Sequence, residues 1–218
     1  RPQYAPCAGV ADDKDDLYDE LSSISYEFDN KYMFYYYDLA EDGSLNDGVT
    51  EAQINEAIAN AQKNIPNDVA NKEYIISQLE SLKTNLYAAP LHALLSNSYN
   101  DDERLKASVT KEKLDAAIAE VRQAVAGKDE TVRDAIEQEI MQFTYYAIAR
   151  EASKLFEPTM FSSYDPSVVK DDVTFAEVDA LFEGIDVRSY YSLERLRDVL
   201  TMSVALKPVW QYVSTEYH

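Results

Sequence analysis

The sequence predicts an all-α fold built from repeated helical hairpins, about three copies with a period of about 60 residues. Three threonines, each preceded by valine, stand where an apolar stripe with helical spacing begins: Thr50, Thr110 and Thr174. They lie 60 and 64 residues apart. The 218 residues include five glycines and seven prolines, few enough for long helices. We therefore expect an up-and-down, bundle-like stack of long helices.

Each of the three threonines has the sequence context of a helix N-cap. A threonine hydroxyl at this position accepts a hydrogen bond from an amide two or three residues further on. Gln53 follows Thr50 at the spacing of a capping box. The valine before each cap and an apolar residue four positions after it have the spacing of a hydrophobic staple. These pairs are Val49 with Ile54, Val109 with Leu114, and Val173 with Val178.

The domain organisation follows from these starts. Residues 1–11 hold two prolines and no periodicity, which predicts an extended N-terminal arm. Residues 12–218 predict a single all-α domain with internal repeats at approximately 38–98, 99–163 and 164–218. Convergence of capped, alanine-rich helices is the alternative to an internal duplication.

Apolar spacing and helix breakers set the limits of the individual helices. Pro66 separates two of them, Gly127 and Gly184 follow two others, and Pro208 predicts a kink in the last. Trp210 and Tyr212 are expected to pack the C-terminal end against the body. The helices predicted in order are 13–39, 51–64, 68–88, 91–99, 111–126, 130–156, 175–183 and 188–216.

The charge of the chain bounds the class of partner. A formal net charge of −20 argues against nucleic acid, because binding phosphates requires clustered lysine and arginine. It argues equally against anionic membrane surfaces, and it leaves a cationic partner surface open. No apolar run has the length of a membrane span, so no transmembrane segment is predicted. Cys7 is the single cysteine, which excludes an internal disulfide.

The segment 38–51 partly resembles an EF-hand calcium loop. Asp38, Asp42, Ser44 and Asn46 stand at ligand positions, and Gly43 stands where the loop turns sharply. The match fails where the loop needs its third-position ligand and its final bidentate glutamate. The sequence thus offers calcium as a possible cofactor. Solvated acids that favour the next helix start are the alternative.

Tyrosine is the compositional oddity of this chain, with 17 residues. Adjacent tyrosines place rings on different faces of a helix, so one enters the core while its neighbour reaches outward. Exposed tyrosines suit protein contacts, being large and stiff with a polar tip. Lining a pocket for a flat ligand, a sugar or a pigment is one alternative, and filling between long helices is another. The residues that we predict to bind a partner are Tyr36, Tyr37, Tyr146 and Tyr191.

The sequence offers little material for catalysis. His92 and His218 are the two histidines, and no metalloprotease, P-loop, dinucleotide or serine-hydrolase motif is present. Glu139 and Glu151 lie on the apolar stripe of one predicted helix. Half-buried carboxylates of this kind act as acids or bases, or else pair with a basic residue. We predict that the protein is not an enzyme.

The leading functional hypothesis is a non-enzymatic helical binding protein that serves as an accessory, extrinsic subunit of a larger protein assembly. The sequence begins at Arg1 rather than methionine, and on this basis we expect processing and an exported (periplasmic or extracellular) or organelle-lumen location. The alternative hypothesis is a module of the periplasm or cell surface that binds a small ligand or a cation such as calcium.

Overall fold

The protein is all-α. The computed structural model describes residues 50–68, 71–157 and 166–217, and these ranges contain seven α-helices and no strand. No helix in them combines the length and the hydrophobicity that crossing a membrane requires. The helices are α1 (Glu51–Asn64), α2 (Asn71–Tyr87), α3 (Ala89–His92), α4 (Lys111–Val125), α5 (Glu130–Ala152), α6 (Phe175–Leu181) and α7 (Tyr191–Tyr217).

Complete capping boxes begin α1 and α6. The Thr50 hydroxyl accepts from the Gln53 amide at 3.3 Å, and the Gln53 side chain accepts from the Thr50 amide at 2.9 Å. Thr174 and Glu177 form the same two hydrogen bonds at 3.2 Å and 3.1 Å. Each box satisfies two backbone N–H groups that would otherwise bond to water at a helix start.

The third predicted cap is also present. The Thr110 hydroxyl accepts from the Lys113 amide at 3.2 Å and begins α4. Val109 and Leu114, the predicted staple pair around this cap, are both buried. The predicted helix starts at all three threonines are therefore confirmed.

The chain divides into two compact units, and the first comprises residues 1–93 and 120–132. In its described part, α1 packs against α2. The first helix has a stripe of buried residues at spacings of three and four, as the sequence predicts. The buried apolar side chains of the first unit are Ile54, Ala57, Ile58, Ala61, Ile65, Leu79, Leu82, Ala88, Leu91, Val121 and Val125.

A buried lysine secures the turn between α1 and α2. Lys72 Nζ donates to the Gln62 carbonyl at 2.7 Å and to Asn67 Oδ1 at 2.6 Å. The Gln62 carbonyl belongs to the last turn of α1, where carbonyls need partners from outside the helix and a positive charge is favourable.

A tyrosine, a glutamate and a lysine join three segments of the first unit. The Tyr87 hydroxyl donates to the carboxylate of Glu51, at the start of α1. Lys128 Nζ lies 3.3 Å from Glu51 Oε1 and 5.4 Å from the centroid of the Tyr87 ring. The hydrogen bond from Tyr87, with a smaller contribution from Lys128, lowers the pKa of Glu51. Burial and the contact with Glu51 raise the pKa of Tyr87.

The second unit comprises residues 94–119 and 133–218. In its described part, α7 packs against α6 and against two 3₁₀ turns, Pro166–Val168 and Val187–Ser189. Its core is a continuous cluster contributed by the second half of α5, by α6, by the first half of α7 and by the segments between them. The buried members are Ile148, Ala149, Ala152, Phe156, Val169, Val178, Phe182, Val187, Leu193, Leu196, Leu200 and Val204.

Two loops of the second unit are closed by the same backbone arrangement, an isolated antiparallel bridge. Leu95 pairs with Leu105, and Phe156 pairs with Val169. The first bridge is made by Ser96 N to Arg104 O and Lys106 N to Leu94 O, both at 2.8 Å. The second is made by Glu157 N to Val168 O at 2.6 Å and Lys170 N to Leu155 O at 3.0 Å. A capping threonine lies five positions after the second residue of each bridge, Leu105 or Val169.

These bridges correct two predicted helices. The segment 91–99 is not a helix, since α3 ends at His92 and the chain then extends into the first bridge. The helix predicted over 130–156 ends at Ala152, because its last residues turn into the second bridge. In both cases an apolar residue at helical spacing pairs with a distant segment instead of continuing the helix.

A cation from the next long helix binds the carbonyls of each bridged loop. Arg150 of α5 donates to the Val109 carbonyl at 2.7 Å and to the Lys106 carbonyl at 3.4 Å. Lys207 of α7 donates to the Val169 carbonyl and lies 3.2 Å from Asp171. A charged donor thus satisfies carbonyl oxygens of each loop, a stronger contact than a neutral hydrogen bond.

The remaining predictions about organisation fall beyond what the described ranges contain. The N-terminal arm over 1–11, the helix over 13–39 and Val49 lie outside the described residues. The single domain over 12–218 and the three repeat limits stay predictions.

Replacing Thr174 by alanine removes the capping box of α6. We expect the free energy of unfolding to fall by about 1 kcal/mol, the usual cost of losing a threonine cap. Urea unfolding followed by circular dichroism measures this change. The matched control is Thr215→Ala, the same change at an exposed position inside α7, which we expect to alter stability by less than about 0.5 kcal/mol. Equal losses in both variants would refute the capping role.

The lowered pKa of Glu51 predicts an acid-dependent loss of stability. A carboxylate whose pKa is lower in the folded state stabilises the fold above its unfolded pKa, and this contribution disappears as the pH falls through the folded pKa. Glu51→Gln should therefore be less stable than the wild type at pH 7, and the difference should shrink as the pH falls below the ordinary glutamate pKa and through the lower folded pKa. Thermal unfolding across this range measures it. Glu112→Gln, an exposed first-turn glutamate of α4, is the control and should show a smaller pH-dependent difference.

Candidate functional site

The predicted calcium ligands are not among the described residues. Asp38, Asp42, Ser44 and Asn46 lie outside those ranges, as do Tyr36 and Tyr37. Within residues 50–68, 71–157 and 166–217, no group of three or more His, Cys, Asp or Glu side chains is placed to hold a metal ion. The calcium loop and these two tyrosines stay predictions.

The two other predicted contact tyrosines differ in their surroundings. Tyr146 is half-buried, with its ring edge-on to Phe143 at 5.7 Å and to Tyr145 at 6.1 Å between centroids. Tyr191, the first residue of α7, is exposed. Of these two rings, only Tyr191 is therefore exposed.

The tyrosine hydroxyls beside α5 bond to polar groups of the second unit. Tyr145 donates to Asp101 Oδ2 at 2.8 Å and so holds the 3₁₀ turn at 101–103 against α5. Tyr190 donates to the side chain of Gln142. Burial is the first cause of a raised pKa in Tyr145, and the contact with Asp101 is the second. Burial also raises the pKa of Tyr190. These rings fill space and tie segments together.

The two carboxylates considered for acid–base chemistry do not form a pair. Glu151 is exposed and lies 2.7 Å from Lys154, three residues further along the chain. Glu139 is half-buried, twelve residues earlier on the same helix, so the two are separated by about 18 Å along its axis. His92, the last residue of α3, is buried.

The exposed large apolar side chains concentrate on α7. The described residues include nine such side chains that are exposed, and six of the nine belong to this one helix. The other three, Tyr74, Tyr99 and Phe175, lie on three different segments. The six on α7, with their exposed fractions, are Tyr191 (78 %), Met202 (43 %), Val209 (60 %), Trp210 (40 %), Tyr212 (61 %) and Val213 (43 %).

The inner side of α7 explains which residues are left outside. Leu200 and Val204 are buried in the core of the second unit. Met202 lies two residues from each of them, which is about 160° away around a helix with 3.6 residues per turn. Lys207 continues the inner side by donating to Val169. Beyond Lys207 the residues from 208 to 213 are all exposed, so the end of the helix extends past the core.

We define the outer face of α7 as the line of residues spaced by three or four on the side away from this core. It combines apolar and charged side chains, and all of its members except the half-buried Leu206 are exposed. Trp210 and Tyr212 flank it. The members are Tyr191, Arg195, Asp198, Met202, Leu206, Val209, Val213 and Glu216.

This surface contains residues that the sequence reasoning missed. Trp210 and Tyr212, which were predicted to pack against the body, are both exposed. Met202, Val209 and Val213 were not singled out. These three residues are spaced by seven and four positions, a helical spacing that is visible in the sequence. The line that they form continues past Pro208 on a different side of the helix from the buried residues.

Removing one hydroxyl tests whether the tyrosines of α5 are structural. Tyr145→Phe deletes the hydrogen bond to Asp101, a charged acceptor, and we expect the free energy of unfolding to fall by about 1.5 kcal/mol. Tyr146→Phe makes the same chemical change on the neighbouring ring, which is held mainly by packing, and should cost less. Urea unfolding of both variants measures the two losses in the free energy of unfolding. A larger loss in Tyr146→Phe would contradict this assignment.

Comparisons with known proteins give no match that bears on this surface. No protein-family model matches the chain, and neither a characterised protein nor a solved structure matches it. The residues of the site are therefore the basis of the proposed function.

Proposed function

We propose that this protein is a non-enzymatic binding protein, an accessory subunit of a larger protein assembly, and that it binds through the outer face of α7. One observation carries the proposal: six of the nine exposed large apolar side chains in the described residues lie on this helix. Single exposed apolar residues are ordinary on protein surfaces, whereas their concentration in one place is typical of an interaction site.

The residue types on this surface favour a protein partner. Trp210 and Tyr212 provide large rings with polar tips, the kind of side chain that anchors protein interfaces. Met202 provides a flexible apolar contact that adapts to a partner's shape. The formal net charge of −20 opposes contact with nucleic acid or an anionic membrane. The exported or organelle-lumen setting expected from the sequence is part of this proposal.

We also infer that the second unit contains a repeated helical module, as the sequence predicts. Two features support the inference. Each bridge is followed at the same distance by a capping threonine and a helix, and a cation from the next long helix binds each loop. Lys106 and Lys170, which follow the two bridges, are 64 residues apart, the same as Thr110 and Thr174. A repeated module that presents α7 at its end fits a subunit that binds through a terminal helix.

Site-directed photo-cross-linking tests the proposed surface. A benzoylphenylalanine in place of Trp210 should form a discrete cross-linked product with another protein in extract of the cells that make this chain. The same probe in place of Tyr99 is the control, because Tyr99 is 85 % exposed but belongs to the bridged loop before α4 and not to α7. Adding Val209→Asp should reduce the product from position 210 at least about tenfold, since it places a charge within the contact.

The proposal fails if position 210 gives no product, or if positions 99 and 210 give the same products in the same amounts. It also fails if Val209→Asp leaves the product unchanged while circular dichroism shows that the variant is folded.

A further inference from the structure

We propose that the outer face of α7 binds the outer face of α7 in a second copy of this chain, as an antiparallel pair of helices. The inference rests on the proposed function, because it names an occupant for the same surface. It follows from the order of apolar and charged residues along this face, which is symmetrical about its centre.

The symmetry concerns four exposed residues. Met202 and Val209 are seven residues apart, Arg195 lies seven before Met202, and Glu216 lies seven after Val209. An antiparallel pair that sets Met202 opposite Val209 of the second copy therefore sets Arg195 opposite Glu216 of the second copy. A twofold axis repeats both contacts, as required of an interface between identical surfaces.

The apolar spacing suits a helix as the occupant. Met202, Leu206, Val209 and Val213 follow one another at intervals of four, three and four residues. This is the alternation by which two helices pack at a shallow crossing angle. The axis of the proposed pair passes between Ala205 and Leu206, and the small exposed side chain of Ala205 allows close approach there.

Charge selects the orientation of the pair. In a parallel pair, Arg195 would face Arg195 and Glu216 would face Glu216, whereas the antiparallel pair opposes unlike charges. Asp198 would lie opposite Val213 of the second copy and one turn from Arg195 of its own helix, where opposite charges attract. The Arg195 guanidinium has five N–H donors, so it can keep a contact within its own chain and also bond Glu216 of the second copy.

The charge of α7 also explains why two copies of an acidic chain can meet here. The whole chain has a net charge of −20. Residues 191–217 hold three acidic and three basic side chains: Glu194, Asp198, Glu216, Arg195, Arg197 and Lys207. The helix that would form the contact is therefore formally neutral, and it contributes no net repulsion to the pair.

A single helix face is a small interface, so the pair should be weak and depend on concentration. Interfaces that bury less than about 1,200 Å² in total are typical of transient complexes. We expect sedimentation velocity of the purified full chain to show monomer and dimer exchanging over about 1 to 500 µM. A chain that stays monomeric throughout this range overturns the inference.

A charge-reversal pair gives the sharpest test. Arg195→Glu alone places like charges at both ends of the pair, and so does Glu216→Arg alone, so each should weaken dimerisation at least about tenfold. In an equimolar mixture of the two variants, each glutamate at 195 meets an arginine at 216 of the other chain, and each native Glu216 meets a native Arg195. The mixture should therefore dimerise to within about threefold of the wild type.

Arg197→Glu is the matched control, because it makes the same charge change on the same helix but off the outer face. It should leave dimerisation close to that of the wild type. A mixture that associates no better than its separate components overturns the inference, as does an Arg197→Glu variant as weakened as Arg195→Glu. Circular dichroism of each variant confirms that the helices remain formed.

These results are separable from those of the proposed function. If the purified chain stays monomeric but the probe at position 210 captures a different protein, the inference is wrong and the proposed function stands. If the probe captures no other protein while the purified variants dimerise as expected, the inference stands and the accessory-subunit proposal is wrong.

Discussion

The hydrogen bond from Lys207 to the Val169 carbonyl is the contact on which the arrangement of the second unit depends. Val169 is held by its bridge to Phe156, and both are buried in the core of this unit. Lys207 is tied to this fixed point on the same side of α7 as the buried Leu200 and Val204, so core packing and this hydrogen bond together set the rotation of the helix about its own axis. The line through Met202 and Val209 then lies outside. The contacts of the inner side thus determine which residues form the candidate binding face.

The length of α7 also leaves apolar residues outside the core. The helix has 27 residues, and the last buried apolar residue is Val204, near its middle. The turns beyond Lys207 gain little from the core of the unit. Short helical segments are marginal in water by themselves, and most helix stability in proteins comes from burying one face. A partner that covers Val209 and Val213 would stabilise these turns as well as bury apolar surface, so binding and helix order would be coupled.

The sequence predicts best what is decided locally. A threonine cap depends on residues within one turn, and the starts of α1, α4 and α6 were therefore predictable from Thr50, Thr110 and Thr174. The ends at His92 and Ala152 were not predictable in this way, because each depends on a bridge to a residue ten or more positions away. Leu95 and Phe156 fit a helical pattern equally well, and distant pairing overrides that pattern.

The candidate site shows the same limit of prediction from the sequence. Tyr191 was selected from its residue type, and its exposure agrees with that choice without testing its role. Met202, Val209 and Val213 were missed because apolar residues at helical spacing look the same whether they cover a core or face a partner. Only the position of α7 against the rest of its unit separates the two cases. Trp210 and Tyr212 were expected to be covered by the body of the protein, and both are exposed.

The acidity of the chain gives this surface its selectivity. A large net charge of one sign keeps copies and other acidic proteins apart wherever their acidic surfaces meet. Contact is then favourable where the local charge is balanced and apolar area is available, and α7 meets both conditions. Repulsion elsewhere also penalises pairings that bring additional acidic surface together, so the alignments that remain are those limited to the outer face. The composition that argues against nucleic acids would thus also restrict where, and in which direction, a protein partner of the proposed kind can bind.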